Sequence, residues 1–347
     1  MFSTKKTAPT KSVNLSLPPQ TKLGRYTIVR RLASGGFGVV YIAIRDDGER
    51  VAIKEFLPSM FPCRTRQVPH MDAWSVGPTK PTWSNNDSSG KTPVESPEMV
   101  EARRHRQWFQ EGLTAFFREA DTLSKLHLPK VIQVWDVFEA HGTAYFVMPL
   151  EEGSTLRHWM LQTWPKPSET TLINLMLKAA DGVHSLHEHG LLHLDLKPGN
   201  LWVRPNQDVI VLDLGVSRWQ DEAGRLSHLA RTPGFAAPEQ HSVKNIREFT
   251  IKTDIYALTA TLWCGLEGHK PAPAPHRSAI PYRQSLAGRH ADGLLRFLDK
   301  GMAIQPAHRH DSVLEWKQEL QQIFKGGCTW SHGSAWIEQD VGFPGSI

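Results

Sequence analysis

The sequence predicts an α+β protein with a small strand-rich half followed by a larger helical half. Two patterns predict it. Short β-branched and apolar runs bounded by turn residues fill the stretch from Tyr26 to Met148, and apolar positions at helical spacing dominate after Gly153. Composition adds that a sizeable core can form, because the 347 residues are 40 % hydrophobic and 22 % charged, near globular averages.

Residues 1–24 are rich in Ser, Thr, Lys and Pro and have no periodicity, so a flexible basic tail is expected. Strands follow at Tyr26–Leu32, Val39–Arg45 and Arg50–Leu57, the last two joined by the turn sequence Asp46-Asp47-Gly48-Glu49. Residues 58–97 hold seven prolines and the polar run from Ser84 to Gly90, which reads as an insert. Ser96-Pro97-Glu98 offers a hydroxyl cap, a first-turn proline and an acid, starting a helix. Its buried stripe is Phe109, Leu113, Phe116, Phe117, Ala120 and Leu123, with an interruption expected at Gly112. Val131–Val137 and Thr143–Met148 read as a strand pair joined through His141-Gly142. Ser168 caps a helix whose core positions are Leu172, Leu175, Ala179, Val183 and Leu186, and Gly190 stops it. Strand-like runs at Leu201–Arg204 and Val209–Leu212 precede helical patterns at Asp254–Leu266, Asp292–Met302 and Ser312–Phe324, and residues 326–347 read as a loose extension.

Forty basic residues against 35 acidic ones give +5, and Lys5, Lys6, Lys11, Lys22 and Arg25 account for that whole excess. The pI near 9.1 therefore describes the tail rather than a body that neutralises many phosphates, which argues against a nucleic-acid partner. Cys63, Cys264 and Cys328 lie far apart without metal-ligand or disulfide-framework spacing, as suits a reducing compartment. The longest charge-free apolar stretch, Ile255 to Leu266, is too short to cross a bilayer, and no apolar run follows the first lysines. A soluble, cytoplasmic protein without a transmembrane segment is expected. The 12 tryptophans are dispersed and read as packing residues rather than a base-stacking platform. His184, His187, His189 and His193 crowd one helix end, where a packing role is favoured over metal binding.

Three motifs carry chemistry. Ala33-Ser34-Gly35-Gly36-Phe37-Gly38 lies between two strands, where backbone N–H groups can close over phosphates. Val51-Ala52-Ile53-Lys54 sets one lysine in an apolar strand. A lysine pointing inward there needs a counter-charge, for which Glu119 is the candidate, whereas on an edge strand it would face solvent. His193-Leu194-Asp195-Leu196-Lys197-Pro198-Gly199-Asn200, with Asp213-Leu214-Gly215 thirteen residues on, gathers a carboxylate, a lysine, an amide and a second carboxylate. Phosphoryl transfer needs such a set: a base for the hydroxyl, a cation for the moving phosphoryl group and oxygen ligands for Mg²⁺.

In order and spacing these motifs resemble a protein kinase of the eukaryotic-like Ser/Thr class, over roughly residues 25–325. Ile53-Lys54-Glu55-Phe56-Leu57-Pro58, Gly112-Leu113 and Phe117-Arg118-Glu119-Ala120 look most like bacterial members. The resemblance implies a bilobal fold, with an N-lobe over 25–148 that carries the 58–97 insert and a C-lobe over 149–325. It implies ATP and Mg²⁺ as cofactors and protein substrates with Ser/Thr acceptors. Gly35, Gly36, Phe37 and Gly38 would cover the ATP phosphates, and Lys54, paired with Glu119, would contact the α- and β-phosphates. Val40 and Ala52 would roof the adenine, Met148 and Leu150 would flank it at gatekeeper and hinge, and Trp202 would stack beneath it or else pack in the core. Asp195 would be the catalytic base and Lys197 would steady the γ-phosphoryl group, a lysine that marks Ser/Thr kinases. Asn200 and Asp213 would bind Mg²⁺. Thr232 would hydrogen-bond Asp195 and Lys197, Glu239 would pair with Arg309, and Asp254 would anchor the catalytic-loop backbone.

Three positions depart from the family pattern: Ala33 for the first loop glycine, Pro149 for a frequent hinge acid, and Leu194 for the arginine before the catalytic aspartate. Without that arginine a phosphate on the activation segment lacks its usual partner, so activity independent of such a phosphate is expected. The alternative reading is a pseudokinase scaffold that binds nucleotide without transferring phosphate.

Overall fold

Alternation of β-branched residues along the first 149 residues produces a six-stranded antiparallel sheet. Its strands are β1 (Lys22–Leu23), β2 (Tyr26–Ser34), β3 (Gly38–Arg45), β4 (Arg50–Phe56), β5 (Asp136–Ala140) and β6 (Thr143–Pro149), in the order β1-β2-β3-β4-β6-β5. This computed structural model describes residues 16–35, 38–58, 97–163, 168–213, 218–219, 232–241, 249–274 and 290–325. The chain divides into two units, one comprising the described residues up to Ser124 with Val134–Leu150, the other Lys125–Gln133 and those from Glu151 onward.

Register sorts the first unit's side chains. Val40 faces Lys54 and Lys54 faces Phe146, while Ala52 faces Met148, so these five residues share one face of the sheet. Helix α1 (Pro97–Lys125) packs on that face through Phe116, whose ring meets those of Phe56 and Phe146 at 5.6 and 4.9 Å. Gly112 does not interrupt α1. A Cβ there would lie 2.6 Å from the Phe56 ring, so glycine is what lets the helix come this close.

The opposite face buries Tyr41, Val51, Ile53, Tyr145 and Val147 under the segment that leads into β2. Here the expected tail is corrected. Leu17 and Leu23 are buried in that cluster, Leu17 N donates to Tyr41 Oη at 3.0 Å, and β1 pairs with β2, so residues 16–24 belong to the folded unit. The expected strand Val131–Val137 is also corrected. Pairing with β6 begins at Asp136, whereas Val131 bridges Val211 and Ile132 N donates to Val211 O within the second unit. One apolar run therefore serves two units. The β5–β6 turn, His141 and Gly142, has φ of 51° and 72°, as a tight hairpin requires.

The second unit is built around α4 (Ile251–Glu267), which is buried on nearly every side. Thr250 opens it with a capping box through Thr253, and Gly268 (φ 84°) ends it. Around it lie α2 (Leu156–Gln162), α3 (Glu169–Glu188), α5 (Asp292–Gly301) and α6 (Val313–Lys325). Ser168 caps α3 as expected, accepting from Thr171 N at 3.1 Å. Short strands hang the loops on this scaffold: β7 (Ser154–Thr155), β9 (Leu201–Val203) and β10 (Val209–Val211) form one sheet, and β8 (Leu191–Leu192) pairs with β11 (Arg218–Trp219). Cys264 on α4 is a buried free thiol whose desolvation pushes it up to about 12. Among the described residues no helix is long and apolar enough to cross a membrane.

Candidate functional site

In the first unit, β4 is buried on both faces, and the Lys54 side chain is only 10 % exposed. Its Nζ lies 3.5 Å from Glu119 Oε1 on α1, and 5.1 and 5.9 Å from the ring centroids of Phe146 and Phe116. A buried ammonium is tolerable only with such a counter-charge and electron-rich faces around it. At Gly38, which pairs with Phe56, a Cβ would sit 2.1 Å from Glu55 O, so any larger residue would break the β3–β4 register. Gly35 N donates to Gly38 O at 2.9 Å and closes the turn, while Gly36 and Phe37 lie outside the described residues. Val40, Ala52 and Met148 lie on the face that carries Lys54, and Leu150 follows directly after β6.

Glu55, one residue on, points to the other face and is fully buried. It accepts from Tyr41 Oη at 2.6 Å and Tyr145 Oη at 2.8 Å. The carboxylate thus joins β4 to both neighbouring strands.

In the second unit, Asp254 rises from the first turn of α4 with no exposure. Its Oδ2 accepts from His193 N and its Oδ1 from Leu194 N, both at 2.8 Å, and His187 Nε2 lies 2.8 Å from Oδ2. Burial alone would raise this carboxyl, but the His187 contact and the His193 N–H outweigh it and hold it below the usual carboxylate range. Leu194 needs this grip because its φ is +65°, a left-handed conformation that is costly for leucine. The crowded histidines go to separate partners: His187 to Asp254, His193 Nε2 to Leu212 O, His189 Nδ1 to Ser185 O and His184 to Glu188.

Around Asp195 three side chains converge. Thr232 Oγ1 donates to its Oδ1 at 2.7 Å, and Lys197 Nζ reaches its Oδ2 at 2.5 Å and Thr232 Oγ1 at 3.0 Å. Asn200 Nδ2 donates to Asp195 O at 2.9 Å and contacts Oδ2 at 3.2 Å. Asp195 therefore presents a buried carboxylate that already accepts a hydroxyl proton at the distance a general base requires. Asp213, half-buried with φ +59°, follows a backbone bond from Leu212 N to Asn200 O (2.8 Å). Leu214 and Gly215 lie outside the described residues.

A family model described as the protein kinase domain matches residues 98–312. The chain belongs to the protein kinase family. Among its relatives, the probable serine/threonine-protein kinase pknA2 of Bifidobacterium longum is 29 % identical over 257 residues, covering 73 % of this chain and 28 % of that one. Serine/threonine-protein kinase PknB of Mycobacterium leprae is 26 % identical over 228 residues, covering 61 % and 36 % respectively. The chain thus spans about a third of the length of the curated relatives it matches. The solved structure "PpkA-294 apo form" matches with a TM-score of 0.65 at 26 % identity, covering 88 % of this chain and 99 % of that one.

Within this kinase domain a buried ion pair ties Glu239 to Arg309: Arg309 Nη1 and Nη2 meet Glu239 Oε1 and Oε2 at 2.7 and 2.9 Å, and Thr253 Oγ1 donates to Glu239 at 2.9 Å. Leu194 packs into an apolar cluster with Leu192, Phe249 and Ile251. Trp202 faces away from its core-facing neighbours Leu201 and Val203, and its indole N–H is bound to Glu152 O at 3.0 Å. Sequence reasoning missed Glu55 and its tyrosines, and the His187 contact to Asp254. Only Glu55 left a signal, as an acid in an apolar strand.

Proposed function

We propose that this protein transfers the γ-phosphate of ATP to Ser/Thr hydroxyls of protein substrates. The observation that carries the reading is the hydroxyl–carboxylate–ammonium cluster of Thr232, Asp195 and Lys197, in which Asp195 accepts a hydroxyl proton at 2.7 Å with a lysine on its other oxygen. A substrate hydroxyl on the same carboxylate would give up its proton to Asp195 as its oxygen attacks the γ-phosphorus and the bond to the bridging β–γ oxygen breaks to release ADP, while Lys197 meets charge on the phosphoryl oxygens. Lys54, fixed by Glu119, would hold the α- and β-phosphates, under the turn from Gly35 to Gly38.

Asn200 and Asp213 suit a hard divalent cation. The amide nitrogen of Asn200 is spent on Asp195, which leaves its oxygen as the ligand, and Asp213 adds a carboxylate. Mg²⁺ bound there would neutralise phosphate charge. Val40, Ala52, Met148, Leu150 and Trp202 are the adenine contacts in this reading, and 25–148 and 149–325 are the two lobes. A cytoplasmic location remains part of the proposal, resting on cysteine usage.

Regulation follows from Leu194. An aliphatic side chain packed on Phe249 cannot bind a phosphate, so the segment is ordered by Glu239–Arg309 and by Thr232, and the enzyme is active before any phosphorylation.

The test is transfer of radiolabel from ATP to the protein itself and to a generic basic substrate, with Asp195→Asn alongside. The parent should transfer label, and the variant should bind ATP yet lose roughly 10²-fold or more in turnover. Equal turnover would refute the assignment of Asp195. Nucleotide binding without transfer by the parent would make it a scaffold.

A further inference from the structure

Gln240 lies in the short helix Pro238–His241 and is buried. Its side chain makes two bonds of opposite sense. Oε1 accepts from Ala237 N at 2.8 Å, and Nε2 donates to Leu194 O at 2.8 Å. The first is the ordinary reach of a third-position side chain back to the helix cap, which glutamate or glutamine can make. The second needs a donor, so of the two only the amide does both.

The carbonyl it meets belongs to the peptide that joins Leu194 to Asp195. That peptide is held at its other end as well, since Asp195 N donates to His193 Nδ1 at 3.3 Å. One residue earlier, Leu194 N is held by Asp254. Leu194, held at a positive φ, presents its carbonyl to Gln240, and a buried carbonyl left without a donor is destabilising. The orientation of the Asp195 backbone thus depends on a side chain from the segment that also supplies Thr232 and Glu239.

We infer that Gln240 is a positioning residue for Asp195, coupling the end of the activation segment to the catalytic loop through the main chain where the sequence has no arginine to do so through a phosphate. This deepens the kinase reading and rests on it.

The experiment measures kcat and KM for ATP in the full chain, with a generic basic protein as acceptor, for the parent, Gln240→Met and Gln240→Glu. Methionine keeps the length and makes neither bond. It should lower kcat roughly 10- to 100-fold, as expected for a misplaced base, and leave KM for ATP within about twofold. Glutamate separates positioning from packing. Ionised, it offers no donor to Leu194 O; protonated, it offers one O–H and one acceptor, like the amide. The ratio of its kcat to the parent's should therefore rise as pH falls from 8.5 to 5.5. If Gln240→Met shows no cooperative melt, the glutamate ratio decides alone. A flat ratio, or parental kcat in a folded Gln240→Met, would overturn the role of Gln240. A parent that transfers no label overturns the kinase reading instead.

Discussion

Arg309→Met removes the cation of a pair that no water reaches, since the side chains of Arg309 and Glu239 are 0 % and 3 % exposed. All five guanidinium N–H groups are used: two on Glu239, and one each on Ala303 O (2.8 Å), Lys252 O (2.9 Å) and Ile304 O (3.1 Å). Methionine satisfies none of them and leaves Glu239 with Thr253 as its remaining donor from this cluster. Orphaning one member of a buried pair costs about 3–5 kcal/mol. Arg309→Lys keeps the charge but has three donors for five acceptors, so its cost should be intermediate. Equilibrium urea unfolding followed by tryptophan emission reads both values. The decisive arm is Glu239→Met/Arg309→Met, which removes both charges and should be less destabilised than the two single costs together by about 2 kcal/mol or more. A loss below about 1 kcal/mol in Arg309→Met, or costs that add within about 0.5 kcal/mol, would refute the claim that this pair holds the segment.

His290 is clasped by Glu169 and Glu267 at 3.2 and 3.4 Å. Burial opposes its charge, but the two carboxylates outweigh burial and raise its pKa. A raised histidine stabilises below its unfolded value of about 6.5 and loses that contribution as pH climbs through the folded value, so His290→Gln should cost more stability at pH 6 than at pH 9; equal costs would contradict this. ATP should quench or shift tryptophan emission, and Trp202→Leu should abolish the response; an unchanged response in that variant would assign Trp202 to packing alone. Protein made with a phosphatase, its activation segment confirmed bare by mass spectrometry, should turn over linearly from the first time point. A lag removed by prior incubation with ATP, and absent in Ser217→Ala/Ser227→Ala, would establish a phosphate switch.

Motifs in this chain were legible because they combine unusual residues at short range: Lys54 in an apolar strand, or Asp195, Lys197 and Asn200 within six positions. Their partners were less so: Glu119 stood out only as an acid on the next helix, and Arg309 only through family resemblance. Glu119 is 65 residues from Lys54 and Arg309 is 70 from Glu239, and no local rule spans such distances. What stayed hidden depends on register or close approach. Tyr145 meets Glu55 because β4 and β6 pair in one register, and Gly112 looks like a helix breaker until the Phe56 ring is seen beside it. Val131, Ile132 and Gln133 continue the apolar run that leads into β5, yet tertiary packing claims them for the second unit. Residues 16–24 lack any period because they cover a surface irregularly, through Leu17 and Leu23.

That last segment bears on where this chain can be cut. A fragment begun at Tyr26, where the regular strand pattern starts, would lack β1 and the Leu17 N–H that ends the line running through Tyr41 to Glu55. It would also expose the apolar outer face of the sheet whose inner face carries Lys54. The shortest piece suited to folding on its own therefore starts at or before Ser16, and a protease site or fusion joint placed between Leu17 and Leu23 would loosen the strand that presents Lys54.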